Sequence, residues 1–317
     1  MRRRIMKNEE SAVLLQSAFE EFIEQKTANG LSNSTIKNYE FSFDYFMQYN
    51  EFDDSTEIKV LTEQLFYKFI NHCRNQDVRP TTINHYLRDL RCFVYWAQDR
   101  NYIQPFNIKL VEAQEDSIKF FSDEDVDKLL VKPARNATFV EWRTWAICNF
   151  VMATGARAST ICNIRIEDLD FQSGLIKYAH TKNKKAQTVP MSAALANVLK
   201  EYMRMFKLPL TGYLFPNVGA EQMTANALRL SFARYCEDRG TEKTSIHGLR
   251  HTFSRGWILN NGGTYQLQQI LGHSTTDMTR RYVKLFGEDL KSGYESFSPL
   301  DNIKKTKSRT KKIESAD

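Results

Sequence analysis

Apolar residues recur at helical spacing through the first hundred positions. From Ser11 to Lys26 they fall at Leu15, Phe19, Phe22 and Ile23, which places them along one face of a helix. After the breaker Asn29-Gly30 a second stripe, Ile36, Tyr39, Phe43, Phe46 and Met47, predicts a helix from near Ser34. A third is predicted from about Thr62 to Cys73, through Leu65, Phe66, Phe69 and Ile70. Pro80-Thr81 is a helix start, with Ile83, Leu87, Leu90, Val94 and Ala97 on one face and Asn84, His85, Arg88 and Arg91 on the other. Four helices in about ninety residues make a small helical domain.

The pattern then lapses. Residues 111–119 are polar and aperiodic, as a linker is. Ser122 to Asp125 has the form of a capping box ahead of Val126, Leu129 and Leu130. Three short strands are expected at Ile166–Phe171, Leu175–His180 and Thr188–Met191, joined by a turn at Gln172-Ser173-Gly174 and a tip at Asn183-Lys184-Lys185. Helical spacing resumes near Ala193 and runs to about residue 290. The expected class is mainly α with a small antiparallel β-sheet (α+β). The expected division is a helical domain at 1–110, a linker at 111–120, a second domain at 121–298 and a tail at 299–317. From Asp301 that tail holds five Lys and one Arg against three acids, a composition expected to be disordered.

Composition narrows the classes. With 42% hydrophobic and 26% charged residues the chain is an ordinary globular one. Its apolar runs are only a few residues long, far short of the roughly 20 that cross a bilayer. Arg2, Arg3 and Arg4 lead into Asn8, Glu9 and Glu10, not into the apolar stretch of a secretory signal. A protein that stays in the cytoplasm, without a membrane partner, is expected. The net charge of +6 suits nucleic acid but also many enzymes. Cys73, Cys92, Cys148, Cys162 and Cys236 are odd in number and widely spaced, so buried reduced thiols are expected, not a zinc ribbon or disulfides.

Four places could carry chemistry. His247 and Arg250 stand at i, i+3 with His251 beside them, a basic cluster that repels itself unless an anion neutralises it. Gly272 is a helix-stop signal and Ser274 to Asp277 a capping box. His273 therefore falls in a turn, and Tyr282 about two turns into a new helix, so both can face one point. Arg157 follows the apolar run Val151 to Ala156; a charge there needs an anionic partner. Lys182, Lys184 and Lys185 crowd the hairpin tip. Each has an ordinary account too: surface residues, a core tyrosine, a salt bridge from Arg157 to Glu167 or Asp168, a solvated turn.

Taken in order, Ala153-Thr-Gly-Ala-Arg157, the Lys182 hairpin ending in Thr188-Val-Pro190, His247-Gly-Leu-Arg250-His251, Leu271-Gly-His273 and Tyr282 resemble the tyrosine recombinase (phage integrase) family. This covers roughly residues 120–290. More loosely, Gly30-Leu-Ser32, Thr35-Ile36, Tyr39 and the stretch from Thr82 to Ala97 resemble its helical core-binding, SAM-like domain. The resemblance implies a two-domain DNA clamp whose second domain is catalytic. It implies a site-specific recombinase that breaks and rejoins DNA through a 3′-phosphotyrosyl link. Arg157 and Arg250 would hold the non-bridging phosphate oxygens, Tyr282 would be the nucleophile and Lys182 the general acid. His247 would bond the phosphate region and accept the tyrosyl proton, and His273 would add a donor. Neither a metal nor another cofactor would be required, because the covalent link conserves the bond energy. The partners implied are double-stranded DNA with paired sites, further copies in a tetramer, and an accessory DNA-bending or directionality factor; the place is the nucleoid.

Two positions depart from the family pattern. Thr160 stands where an acid is usual, and the hairpin reads Lys182-Asn-Lys-Lys-Ala-Gln187, with Gln187 where a basic residue is common. Counting back from Val189-Pro190 selects Lys182 over Lys184. The departures favour integration or excision of a mobile element. A Xer-type dimer resolvase, a type IB topoisomerase-like enzyme and a catalytically silent DNA-binding regulator are the alternatives; the retained Arg157, His247, Arg250, His273 and Tyr282 argue against the last.

Overall fold

A computed structural model describes residues 12–114, 118–178, 187–242 and 245–272. The chain divides into two compact units, residues 1–116 and 117–317.

The first unit is helical: α1 (Leu15–Ala28), α2 (Asn33–Asn50), α3 (Glu63–Asn75) and α4 (Pro80–Asp99), with a 3-10 turn at Ile58–Val60 before α3. Ser32 caps α2 by accepting the Thr35 N–H at 3.3 Å, and Pro80 opens α4 where its missing N–H costs nothing. The predicted stripes meet in an aromatic core. Phe19 stacks on Phe43 at 3.7 Å, and Phe93 meets both edge-on at 5.3 and 5.6 Å. Asn84, assigned above to the polar face of α4, is buried instead. Its amide donates to the Val111 carbonyl and accepts the Val111 N–H, both at 2.8 Å, pinning the segment that leaves the unit. An amide side chain can stand in for a neighbouring strand, which apolar periodicity cannot reveal.

The second unit is built around α6 (Phe139–Thr154), buried on nearly all sides through Trp142, Trp145, Ile147, Phe150 and Val151. Before it comes α5 (Asp123–Leu130), capped by Ser122 accepting the Asp125 N–H at 3.1 Å. After it come α7 (Ala158–Asn163) and a three-stranded antiparallel sheet: β1 (Leu169–Asp170), β2 (Leu175–Tyr178) and β3 (Gln187–Pro190). Ile176 pairs with Leu169 on one side and Val189 on the other. Then follow α8 (Ala193–Met205), α9 (Ala225–Asp238), α10 (Ile246–Leu259) and α11 (Thr264–Leu271).

The first expected strand is mostly a 3-10 turn, Ile166–Asp168, leaving two residues of ladder. The cause is local. Asp168 accepts the Arg165 N–H at 2.8 Å and Glu167 takes the Arg165 guanidinium at 2.6 Å, so short-range bonds compete with the ladder. On β2 the inward residues are Ile176 and Tyr178, and Leu175 is exposed. The turn at residues 172–174 is as expected: Asp170 accepts the N–H groups of Gln172 and Ser173, both at 2.9 Å. Four thiols are buried and all five are free, but Cys92 is exposed. No helix among the described residues is long and apolar enough to cross a membrane.

Candidate active site

α6 ends at Gly155, which takes the left-handed conformation at φ 62°. A Cβ there would lie 2.6 Å from Phe253 and 2.7 Å from Leu271, so α10 and α11 pack directly on the turn. Two residues on, Arg157 is the N-cap of α7. Its guanidinium Nη2 donates to the Gly272 carbonyl at 3.1 Å. Of the two acids proposed above as partners for Arg157, Glu167 bonds Arg165 and the Gly212 N–H, and Asp168 caps its own turn.

α10 carries the His-x-x-Arg pair as one helical turn. Arg250 is 3% exposed. Its Nη1 donates to the Gly155 carbonyl and its Nη2 to that of Leu271 at 3.0 Å. A buried cation is thus seated on backbone carbonyls, and its planar fork is fixed in place. Burial, then the charges of Arg250 and Arg157, push the His247 imidazole below its ordinary 6.5. Burial and the two arginine charges act in the same direction, favouring the neutral form of the imidazole. The His251 ring lies edge-on to that of His247 at 4.5 Å.

α11 ends at Gly272, again left-handed at φ 59°. A Cβ on Gly272 would meet Gln187 Oε1 at 2.6 Å and Arg157 Nη1 at 3.5 Å. Gln187, at the start of β3, donates through Nε2 to the carbonyls of Gln269 at 2.5 Å and Ile270 at 2.7 Å. The structure therefore brings together Arg157, His247 and Arg250 from the expected set. Lys182, Lys184, His273, Tyr282 and the Ser274 to Asp277 capping box lie outside the described residues. The Gly155 and Leu271 carbonyls and the Gln187 amide were not foreseen as parts of the site. Gly272 signalled the helix end, but nothing local told which side chains would reach its carbonyls.

One tyrosine within reach of Arg250 can be set aside as a nucleophile. Tyr178 is 4% exposed in the core, and burial drives its phenol well above the ordinary range despite the opposing Arg250 charge. Thr160, in the position where an acid was expected, is buried. Among the described residues no cluster of three or more His, Cys, Asp and Glu has the arrangement of a metal site.

The cluster of two anchored guanidiniums and an imidazole is suited to one task. It can hold an anion by two charged forks and give or take one proton beside it.

Residues 119–288 match the model for the phage integrase family, and residues 14–110 that for the phage integrase SAM-like domain. Tyrosine recombinase XerC of Staphylococcus aureus (strain bovine RF122 / ET3-1) is 27% identical over 291 residues, covering 86% of this chain and 93% of XerC. Among solved structures, the Tn1549 transposon integrase in complex with transposon right end DNA superposes with a TM-score of 0.73 at 18% identity, over 85% of this chain and 94% of that one. A lambda integrase tetramer bound to a Holliday junction gives 0.67 at 14% identity, over 86% and 78%. At such identities the two structures speak for the fold.

Proposed function

This chain belongs to the phage integrase family, and from that premise we propose how its own residues break and rejoin DNA. It is a tyrosine recombinase, a DNA strand-breaking and strand-rejoining enzyme. Arg157 and Arg250 grip the two non-bridging oxygens of the scissile phosphate and neutralise the charge that builds up as phosphorus becomes five-coordinate. The Tyr282 oxygen attacks phosphorus, its proton passing to His247. The P–O5′ bond breaks, and Lys182 protonates the departing 5′-oxygen. His273 donates a further hydrogen bond to the phosphate. The 3′-phosphotyrosyl bond then yields to a 5′-hydroxyl of the partner strand by the reverse steps, so no net energy input is called for. The observation that supports this reading most is the seating of both guanidiniums on the turn at Gly155 and the end of α11, in the neighbourhood of His247.

The substrate is a pair of duplex sites, and the working assembly a tetramer, in keeping with the lambda integrase tetramer on a junction. The biological task is integration or excision of a mobile element, in keeping with the likeness to the Tn1549 integrase. The XerC relative favours a second reading, resolution of replicon dimers. Deleting the gene separates them: loss of excised element circles supports the first, accumulation of chromosome or plasmid dimers the second.

The chemical test uses a nicked suicide duplex carrying the site that the full chain selects from a random library. Wild type should become covalently attached, and Tyr282→Phe should bind the same duplex without attaching, since only the phenolic oxygen is removed. An adduct that persists in Tyr282→Phe would refute the assignment of the nucleophile.

A further inference from the structure

The last carbonyls of an α-helix have no partner within the helix, and they carry the negative end of its dipole. At the end of α11 consecutive carbonyls are taken up by side chains from three other elements. Gln269, which also accepts the Gly272 N–H at 3.1 Å, and Ile270 accept from Gln187 of β3, Leu271 accepts from Arg250 of α10, and Gly272 from Arg157 at the head of α7. Two of these three donors are the guanidiniums that grip the phosphate. The third, Gln187, has no charge and a different target. Its single amide nitrogen has two hydrogens and spends both on the two α11 carbonyls immediately before those that seat the arginines.

We propose that Gln187 is a positioning residue for Arg157 and Arg250, acting through the end of α11. The inference rests on the recombinase reading above and adds a residue to it. The two side chains meet at Gly272. Gln187 Oε1 and Arg157 Nη1 both approach the open side of Gly272, so that one methyl group there would lie 2.6 Å from the amide oxygen and 3.5 Å from the guanidinium. The Leu271 side chain is buried against the Gly155 turn, whose carbonyl is the other seat of Arg250. If the Gln187 clasp is lost, the terminal turn of α11 frays. The Leu271 and Gly272 carbonyls shift, and both guanidinium planes shift with them. Gln187 touches neither the phosphate nor the nucleophile in this scheme.

Gln187→Met keeps the length of the side chain and removes both donors. Gln187→Lys restores donors to the same carbonyls. The readout is single-turnover covalent attachment on the suicide duplex selected by the wild-type chain, at saturating enzyme, beside the Kd for that duplex. Gln187→Met should attach at least about tenfold more slowly, an ångström of misplacement being worth up to about a hundredfold, with Kd within about twofold. Gln187→Lys should recover to within about threefold of wild type. A second substrate carries an uncharged methylphosphonate at the scissile position, where there is less negative charge for the arginines to neutralise. On it the gap between wild type and Gln187→Met should close to less than about threefold. A Gln187→Met variant that attaches at the wild-type rate overturns the proposal. So does a Gln187→Lys variant as slow as Gln187→Met, or a gap equally wide on the neutral phosphate, each of which would mark a merely structural role. If wild type itself gives no adduct, it is the recombinase reading that fails.

Discussion

In the N-terminal unit the described buried residues with polar side chains are Ser42 and Asn84. In the C-terminal unit they are Arg143, Thr144, Thr154, Thr160, Thr241, Arg250, Thr252 and Ser254. Several of the hydroxyls are satisfied within their own helix: Thr144, Thr154, Thr252 and Ser254 each donate to the carbonyl four residues back. The two arginines cannot be satisfied that way. Arg143 reaches the Pro216 carbonyl at 2.5 Å and Arg250 those of Gly155 and Leu271. One unit is thus held by ring against ring, and the other has cations set into backbone. The difference bears on where the proposed chemistry sits: both arginines of the proposed phosphate grip belong to the second unit, and among the described buried residues of the first unit none carries a charge.

The sharpest break of that comparison is Arg250→Ala. Losing one such donor typically lowers cleavage by about 3–4 kcal/mol of transition-state stabilisation. Leaving the Gly155 and Leu271 carbonyls unpartnered removes a further 1–3 kcal/mol or so of fold stability for each that stays dry. Single-turnover attachment and a denaturant midpoint measure the two losses separately; a variant that only binds DNA more weakly would make Arg250 a backbone contact. The counterpart in the other unit is Phe22→Ala. Phe22 is fully buried against Phe93 and Trp96, with centroids at 5.6 and 5.7 Å. Its removal should destabilise by about 3–5 kcal/mol. Attachment per folded molecule should stay within about twofold of wild type, because no part of the phosphate grip is in that core. A large chemical defect in Phe22→Ala would mean that the two kinds of core are not separable.

This contrast also explains what could be read from the chain. In the first unit, function of position follows from period. Leu15, Phe19, Phe22, Phe43, Phe46, Phe66 and Phe69 were picked out by spacing alone, and all are buried. Asn84 escaped because its partner, Val111, is 27 residues away and is a backbone group. In the second unit Arg157, His247 and Arg250 were singled out as motif residues, and the structure brings them together; Lys182, His273 and Tyr282 lie outside the described residues. The seats of the arginines were not legible. Gly155, Leu271 and Gly272 contribute carbonyls, and a carbonyl is the same whatever the residue. Gln187 was noticed only as a departure, and its two bonds span 82 and 83 residues. Ile166–Asp168 was misread as strand because β-branched and acidic residues near a turn suit both, and the Arg165 bonds decide it.

A gentler break keeps every polar group and alters one backbone turn. Gly155→Ala must hold an L-residue at φ 62° and push a methyl into Phe253 and Leu271. The left-handed conformation costs roughly 1–2 kcal/mol and the crowding about 1–3 more. Part of this is relieved by movement of the two flexible side chains, so a loss of about 2 kcal/mol in stability is expected. Since the Gly155 carbonyl seats Arg250, attachment should slow as well, by about tenfold. Gly174→Ala is the control: it is also left-handed at φ 67°, but its Cβ would approach nothing closer than the Met191 carbonyl at 3.4 Å. It should lose stability alone. Equal slowing of attachment in both would assign the effect to strain, not to the seat of the arginine.

The smallest effect is a matter of protons, and it sharpens the comparison because burial and the two arginines of the second unit set it together. His247 is pushed below 6.5 first by burial and then by Arg250 and Arg157. In the unfolded chain the imidazole titrates near 6.5. Above that pH both states hold it neutral, and it contributes nothing to the slope of stability with pH. As pH falls through about 6.5 the unfolded chain binds a proton that the folded chain refuses, so the folded state loses ground. Wild type without DNA should therefore lose thermal stability on going from about pH 7.5 to about pH 5.5. His247→Gln, which keeps a hydrogen-bonding group but cannot titrate, should lose less over the same interval. Arg157→Gln should also flatten the slope, by a smaller amount, because it removes the last-ranked of the three causes while burial and Arg250 remain. The measurement is the melting temperature across that interval for the three proteins, in one buffer series at constant ionic strength. A slope unchanged by His247→Gln would show that the imidazole is not held neutral by the fold. A slope of the opposite sign would mean that an anion-like partner raises it, and that the basic cluster is neutralised before any phosphate arrives.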